Sequence, residues 1–314
     1  MTHERHEAGR LSRRAALALM ATAAARAAGP GTGAARAAQA MLTRPVPSSG
    51  ELLPAVGLGT WRTFAVGAAS ADREPLREVL RRFVGLGGRV VDSSPMYGAA
   101  ETVVGDLAAE LGLLATLFVA TKVWTTGREA GRGQMERSLR RLRVARLDLM
   151  QIHNLVDWPT HLRTLRDWKA AGRIRYLGVT HSMASAHGEL ERVMRSEPLD
   201  FVQLNYSLAE REAERRLLPL ARDRGIAVLV NRPYAEGALF QRVRGHQLPP
   251  WAADFDCASW GQFFLKWVLA HPAVTCVIPA TSKPDHLTDN MRAGAGALPD
   301  TAARGRMAAH LDTL

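Results

Sequence analysis

Asp92 and Tyr97 stand five residues apart in the stretch Arg89-Val-Val-Asp-Ser-Ser-Pro-Met-Tyr-Gly98, where Pro95 and Gly98 bend the chain. A free phenol ionises near about 10, so it serves as a proton donor near neutrality when a nearby ammonium and a polar, partly dry site lower that value. Further along, the chain offers an ammonium at Lys122 and an imidazole at His153. Together these four side chains suit proton transfer coupled to hydride transfer. Tyr97 is expected to act as general acid toward a carbonyl oxygen, and Lys122 to stabilise the tyrosinate and lower the phenol's pKa. Asp92 is expected to pair with Lys122, and His153 to hydrogen-bond and orient the carbonyl. No side chain supplies a hydride, so a cofactor must.

Each of these residues alone has a plainer explanation. An Asp at a strand end often caps a helix, a lone Lys is usually solvated, and a lone His is more often structural. What lifts them above that reading is where the elements put them. After residue 41, short apolar runs alternate with longer segments of helical period. Residues 43–53 read as a hairpin cap turning at Ser48-Ser49-Gly50. Strands are expected over 55–60, 89–92, 117–121, 147–152, 174–179, 201–204, 226–230 and 274–278. Helices are expected over 73–86, 100–111, 131–142, 159–171, 187–195, 210–224 and 259–270, with another beginning at 284–293 and a long loop over 231–255. Eight such alternations imply parallel strands with helices outside, which predicts an α/β fold, a (β/α)8 TIM barrel over 41–314 with an N-terminal β-hairpin cap. A doubly wound open sheet is the competitor, but no G-x-G-x-x-G follows the first strand. In a barrel, functional residues gather at the C-terminal strand ends. Asp92, Tyr97, Lys122, His153, Thr180, His181 and Gln203 all fall at or just beyond such ends.

With those residues in place, the chain resembles the aldo-keto reductase family over nearly all of 41–314. The resemblance rests on Gly57-Leu-Gly-Thr-Trp61, on Val91-Asp-Ser-Ser-Pro-Met-Tyr-Gly98 with Glu101, and on Thr121-Lys122. Leu147-Asp-Leu-Met-Gln-Ile-His153, Gln203-Leu-Asn-Tyr206 and Ile278-Pro-Ala-Thr-Ser282 with Asn290 match as well. The resemblance implies a catalytic tetrad of Asp92, Tyr97, Lys122 and His153. It places Gly59, Thr60 and Trp61 on the cofactor and substrate side, and Thr180, His181 and Gln203 at the nicotinamide carboxamide. The adenosine phosphate end falls to Thr281, Ser282, Lys283, His286 and Asn290. Departures from the family pattern are His181 where Asn is usual, and Asn231-Arg232-Pro233-Tyr234 where an aromatic often stacks on the nicotinamide. Asn231 and Arg232 therefore join the implied cofactor contacts. Ala280 replaces a common basic residue and His286 a common Arg, while Lys283 and Arg292 remain for a 2′-phosphate. NADPH is expected in preference to NADH, with a small carbonyl compound as substrate. The short C-terminus implies an open substrate site.

Two other readings use the same residues differently. A cofactor-holding or partner-binding barrel with little catalysis has no need of Tyr97. A glycoside hydrolase needs two carboxylates at strand ends, and Asp92 is the only clear one.

The first forty residues have a separate purpose. Arg10-Leu-Ser-Arg-Arg14 precedes an apolar run from Ala15 to Ala25, and Ala38-Gln39-Ala40 offers a processing site. This resembles a twin-arginine signal, against the alternative of an unstructured Ala/Arg tail. It implies use of the twin-arginine export machinery, cleavage after Ala40 and a periplasmic or otherwise exported mature protein. The run is too short and alanine-rich for a stable membrane span. Net charge is +11, but six Arg against two acids in residues 1–40 leave +7 for the remainder. No Lys/Arg block with interleaved aromatics appears, so nucleic acid is not an expected partner. Cys257 and Cys276 show neither a zinc pattern nor a disulfide framework, no metal site is expected, and the protein is expected to be a monomer.

Overall fold

The structure, a computed structural model, describes residues 40–314, so the expected signal segment with Arg13-Arg14 lies outside the described residues. The described chain opens with an antiparallel hairpin of β1 (Thr43–Pro45) and β2 (Leu52–Pro54). Gly50, at φ 75°, closes its turn by donating to the Val46 carbonyl at 2.8 Å, a backbone conformation that glycine adopts without steric cost.

Eight parallel strands follow in chain order. They are β3 (Leu58–Gly59), β4 (Val90–Asp92), β5 (Phe118–Val123), β6 (Leu147–His153), β7 (Ile174–Thr180), β8 (Phe201–Asn205), β9 (Ala227–Asn231) and β10 (Cys276–Val277). Backbone bonds from Gly57 N to Val277 O (2.8 Å), Val277 N to Ala55 O (2.9 Å) and Gly59 N to Pro279 O (3.1 Å) join the last strand to the first. The sheet is thus closed into the expected barrel.

The outer layer comprises α1 (Ser70–Gly85), α2 (Ala100–Glu110), α3 (Arg128–Arg141), α4 (Trp158–Ala170), α5 (His187–Ser196), α6 (Leu217–Asp223), α7 (Ala238–Arg242), α8 (Trp260–Leu269), α9 (Pro284–Arg292) and α10 (Thr301–Asp312). Amphipathic spacing explains their docking: α1 buries Leu76, Val79, Leu80 and Phe83, and α5 buries Leu190, Val193 and Met194. The helix expected over 210–224 is instead a 3-10 turn at Glu212–Arg215 followed by α6. Pro219 gives the reason. Restarting at Leu217 leaves Pro219 in the first turn, where its missing N–H costs nothing. The expected 231–255 loop likewise contains α7 and a 3-10 turn at Pro250–Phe255, and α10 is an element the periodicity did not announce.

One core lies between sheet and helices, and a second fills the barrel's interior. The rings of Phe118, Tyr176 and Phe201 pack there with centroids 5.4–6.0 Å apart. The hairpin adds Val46 and Leu53 beneath them, and the Tyr176 hydroxyl meets Ser49 Oγ at 2.7 Å and Glu51 Oε2 at 2.8 Å. That end of the barrel is plugged. Polar residues collect at the other.

Candidate active site

Above the aromatic layer the barrel interior turns polar. Asp92 ends β4, Lys122 is the penultimate residue of β5, Gln151 lies in β6 and Gln203 in β8. All four are buried, so each needs partners, and each has them. Lys122 Nζ donates to Asp92 Oδ2 at 2.5 Å and to the Ser93 carbonyl at 2.7 Å. The other Asp92 oxygen accepts from Gln151 Nε2 (3.0 Å) and Gln203 Nε2 (2.9 Å). Gln203 Oε1 in turn accepts from Thr180 Oγ1 (3.2 Å) and Asn231 Nδ2 (3.3 Å). Thr60 Oγ1 ties β3 into the cluster through the Asp92 carbonyl and Ser93 Oγ, both at 3.0 Å.

Burial alone drives a lysine toward its neutral form. Here burial does lower the Lys122 pKa, but the attraction of Asp92, then Tyr97, with their hydrogen bonds, outweighs it and holds the ammonium above its ordinary range. Tyr97 follows a turn whose backbone bond runs from its own N–H to the Ser94 carbonyl at 3.0 Å. Lys122 Nζ sits 5.0 Å from the Tyr97 ring centroid, close enough for its charge to act on the phenol.

The expected direction of the phenol's pKa needs correction. Burial raises it, and the Asp92 charge adds to the rise; Lys122 pulls it down by charge and hydrogen bond, but not far enough. The net value lies above that of a free phenol. Tyr97 is therefore kept protonated, the state a proton donor needs, and the ammonium's service is to the tyrosinate once it forms.

The His153 ring lies edge-on to Tyr97, centroids 5.8 Å apart. Burial first, then the charges of Lys122 and His181, lower its pKa to about 2. It is a neutral imidazole, and its Nδ1 lies 3.0 Å from Ser94 Oγ.

A cavity of about 430 Å³ opens over this floor. Of the residues expected at the site, Asp92, Tyr97, His153, Gly59, Thr60, Trp61, Thr180, Gln203, Asn231 and Arg232 line it. Lys122 lies beneath, behind the cavity-lining Asp92 and Tyr97. His181 is not in the wall; its backbone N–H bonds the Gln203 carbonyl and its Nδ1 accepts from Met183 N–H at 3.2 Å. Thr281, Ser282, Lys283, His286 and Asn290 also lie outside the wall. Thr281 is buried and accepts the Lys283 N–H, Lys283 and His286 are exposed, and Asn290 Oδ1 receives the hydroxyl of the cavity-lining Tyr234 at 2.6 Å. Tyr234 thus joins the cavity to the β10–α9 segment.

Several wall residues were not singled out from the sequence: Met96, Asn154, Ser182, Glu236 and Phe240. Arg232 and Glu236 are ion-paired at 3.5 Å, and Arg232 also binds Glu210 at 3.1 Å and the Ser182 carbonyl at 2.7 Å. Arg232, Ala235 and Glu236 all have left-handed backbones, as do Asn154, Leu155 and Asp157 just after His153. Asn154 and Asp157 are types that tolerate this region, whereas Leu155, Arg232, Ala235 and Glu236 are not and give no sign of it in the sequence.

Comparison with known proteins places this geometry. The model of the aldo/keto reductase family matches residues 55–304. Methylglyoxal reductase YeaE of Escherichia coli is 30% identical over 245 residues, 76% of this chain and 84% of that protein. The NADH-specific methylglyoxal reductase of the same organism is 25% identical over 300 residues, 77% of this chain and 90% of that one. Among solved structures, an aldo-keto reductase from Klebsiella pneumoniae in complex with NADPH superposes with a TM-score of 0.71 at 26% identity, covering 88% of this chain and 94% of its own. A closed eight-stranded barrel, the buried Asp92–Lys122 pair under Tyr97, and a family match across 55–304 lead to one conclusion: the chain belongs to the aldo/keto reductase family.

Proposed function

We propose that the protein is an NAD(P)H-dependent oxidoreductase that reduces the carbonyl of a small aldehyde or ketone, with Tyr97 as general acid. One observation carries this reading: a fully buried ammonium, Lys122, is clamped by Asp92 and lies 5.0 Å from the ring centroid of Tyr97 at the cavity floor. A binding module has no use for that arrangement. In the proposed reaction the substrate oxygen lies between the Tyr97 hydroxyl and His153. Tyr97 gives its proton to that oxygen as the carbonyl carbon is reduced. The tyrosinate left behind meets the Lys122 charge at no reorganisation cost. Asp92, held by two amides, keeps the ammonium in place. A neutral His153 donates a hydrogen bond without competing as an acid.

The residues present fit a nicotinamide group. Asn231 Oδ1, at the end of β9 in the cavity wall, is a buried acceptor with no partner among the described residues. A carboxamide N–H₂ would satisfy it, with Thr180 beside it. The bound cofactor would supply the hydride. Gly59, Thr60 and Trp61 would border it on one side and Arg232 on the other, with Thr281, Ser282, Lys283, His286 and Asn290 toward its phosphate end. Preference for NADPH rests on Lys283 and Arg292 and on the NADPH complex of the Klebsiella protein. The NADH-specific relative marks the opposite choice. Two relatives are methylglyoxal reductases, so 2-oxoaldehydes are the first substrates to try.

The test is oxidation of NADPH and, separately, NADH against a panel of small aldehydes, 2-oxoaldehydes and ketones, with coenzyme binding followed by fluorescence. Turnover with at least one carbonyl, faster with NADPH, is expected. Tight coenzyme binding with no turnover on any carbonyl would favour a cofactor-holding barrel instead.

A further inference from the structure

Ser94 lies directly behind His153 and is fully buried. Its hydroxyl oxygen is 3.0 Å from His153 Nδ1 and also accepts the Met96 backbone N–H at 3.3 Å. With that N–H already pointing at the oxygen, the single hydroxyl hydrogen has one acceptor within reach among the described residues, the imidazole nitrogen. A neutral imidazole carries its hydrogen on one nitrogen only, and a donor at Nδ1 requires that the hydrogen sit on Nε2.

We propose that Ser94 is a positioning residue: by donating to His153 Nδ1 it holds the ring in the Nε2–H tautomer, so that the N–H left to the cavity is the one that meets the substrate oxygen. The inference rests on the reading of His153 as the group that orients the carbonyl. The opposite tautomer is disfavoured twice over. It would place an Nδ1–H against a serine whose own hydrogen then has no acceptor, in a site where an unmet donor is costly. It would also turn a lone pair, rather than a donor, toward the carbonyl oxygen. Burial keeps the ring uncharged, so a cationic ring with hydrogens on both nitrogens does not intervene. The turn itself supplies the geometry, because Ser94 and Tyr97 belong to one loop closed by the Tyr97 N–H to Ser94 carbonyl bond at 3.0 Å.

Histidine-selective 15N labelling, with the His153 signals identified by their loss in His153→Gln, reads the tautomer directly. The wild type is expected to show a protonated Nε2 and an unprotonated Nδ1. In Ser94→Ala the two tautomers are expected to mix, and kcat for carbonyl reduction to fall about tenfold while the coenzyme Kd stays unchanged. Ser94→Cys, of similar size and a weaker donor, is expected to fall between. A wild-type ring protonated at Nδ1, or a Ser94→Ala ring that keeps a pure Nε2–H state, would overturn the proposal. Failure of the reductase reading would look different: no carbonyl-dependent coenzyme oxidation in the wild type, whatever the nitrogen signals show.

Discussion

At the scale of the residue, the account turns on which groups hold protons. Tyr97 is kept protonated above the ordinary phenol range, and His153 accepts a proton only toward about 2. The sign for activity follows. Carbonyl reduction needs Tyr97 protonated, so acid does not remove the donor, and His153 contributes no transition near its unperturbed value of about 6.5. The profile of kcat/KM for reduction is expected to be level from about pH 5 to about pH 9 and to decline only in stronger alkali. A step near pH 6.5 that vanishes in His153→Gln would contradict the assignment. Asp92 carries a structural load too, since it is the counter-charge of a lysine with no access to water. Asp92→Asn strands that ammonium and should cost about 3–5 kcal/mol, lowering Tm by about 10 °C. Adding Lys122→Met should recover most of the loss, and thermal unfolding of the single and double variants checks this.

The residues of this cluster were legible in the sequence because an acid, a phenol, a lysine and an imidazole follow successive strands. What the sequence did not show was the balance of forces on them. Spacing says that Lys122 can reach Tyr97, but burial decides the net direction of the phenol's pKa. Gln151 and Ser94 were passed over for a related reason. Amides and hydroxyls reveal a role only through the partner they face.

At the scale of the element, closure of the barrel is the step that makes a site from strand ends. The first strand of the barrel, β3, is only Leu58–Gly59, and its seam with β10 runs through glycines. A Cβ at Gly59 would lie 2.7 Å from the Ile278 carbonyl oxygen, so the seam must open to accept it. Gly59→Ala is expected to cost about 1–3 kcal/mol and to weaken coenzyme binding, because the same residue lines the cavity. Tm and a coenzyme titration together check it; unchanged values for both would show the seam to be more compliant than described. Strands were easy to place from sequence, since buried parallel strands read as continuous apolar runs. The connections were harder. The 231–255 segment holds its shape through left-handed backbones at Arg232, Ala235 and Glu236 and through the Arg232 ion pairs, and neither leaves a periodic trace. α10 buries only Met307 and Leu311, too few apolar positions to declare a face.

At the scale of the whole molecule, a closed barrel leaves no free sheet edge, and among the described residues no helix is long and apolar enough to cross a membrane. We propose that the folded enzyme is exported by the twin-arginine route with its cofactor already held. Replacing Arg13-Arg14 by Lys-Lys is then expected to leave the protein uncleaved in the cytoplasmic fraction, whereas the wild type appears in the exported fraction, shortened to begin at Met41. Equal fractionation of the two would contradict this.

The central claim is that one phenol delivers the proton in carbonyl reduction, and single-turnover oxidation of bound NADPH by methylglyoxal measures that step. Tyr97→Phe is predicted to bind NADPH as the wild type does yet to react at least about 10²-fold more slowly. Equal single-turnover rates in the two proteins would contradict the account.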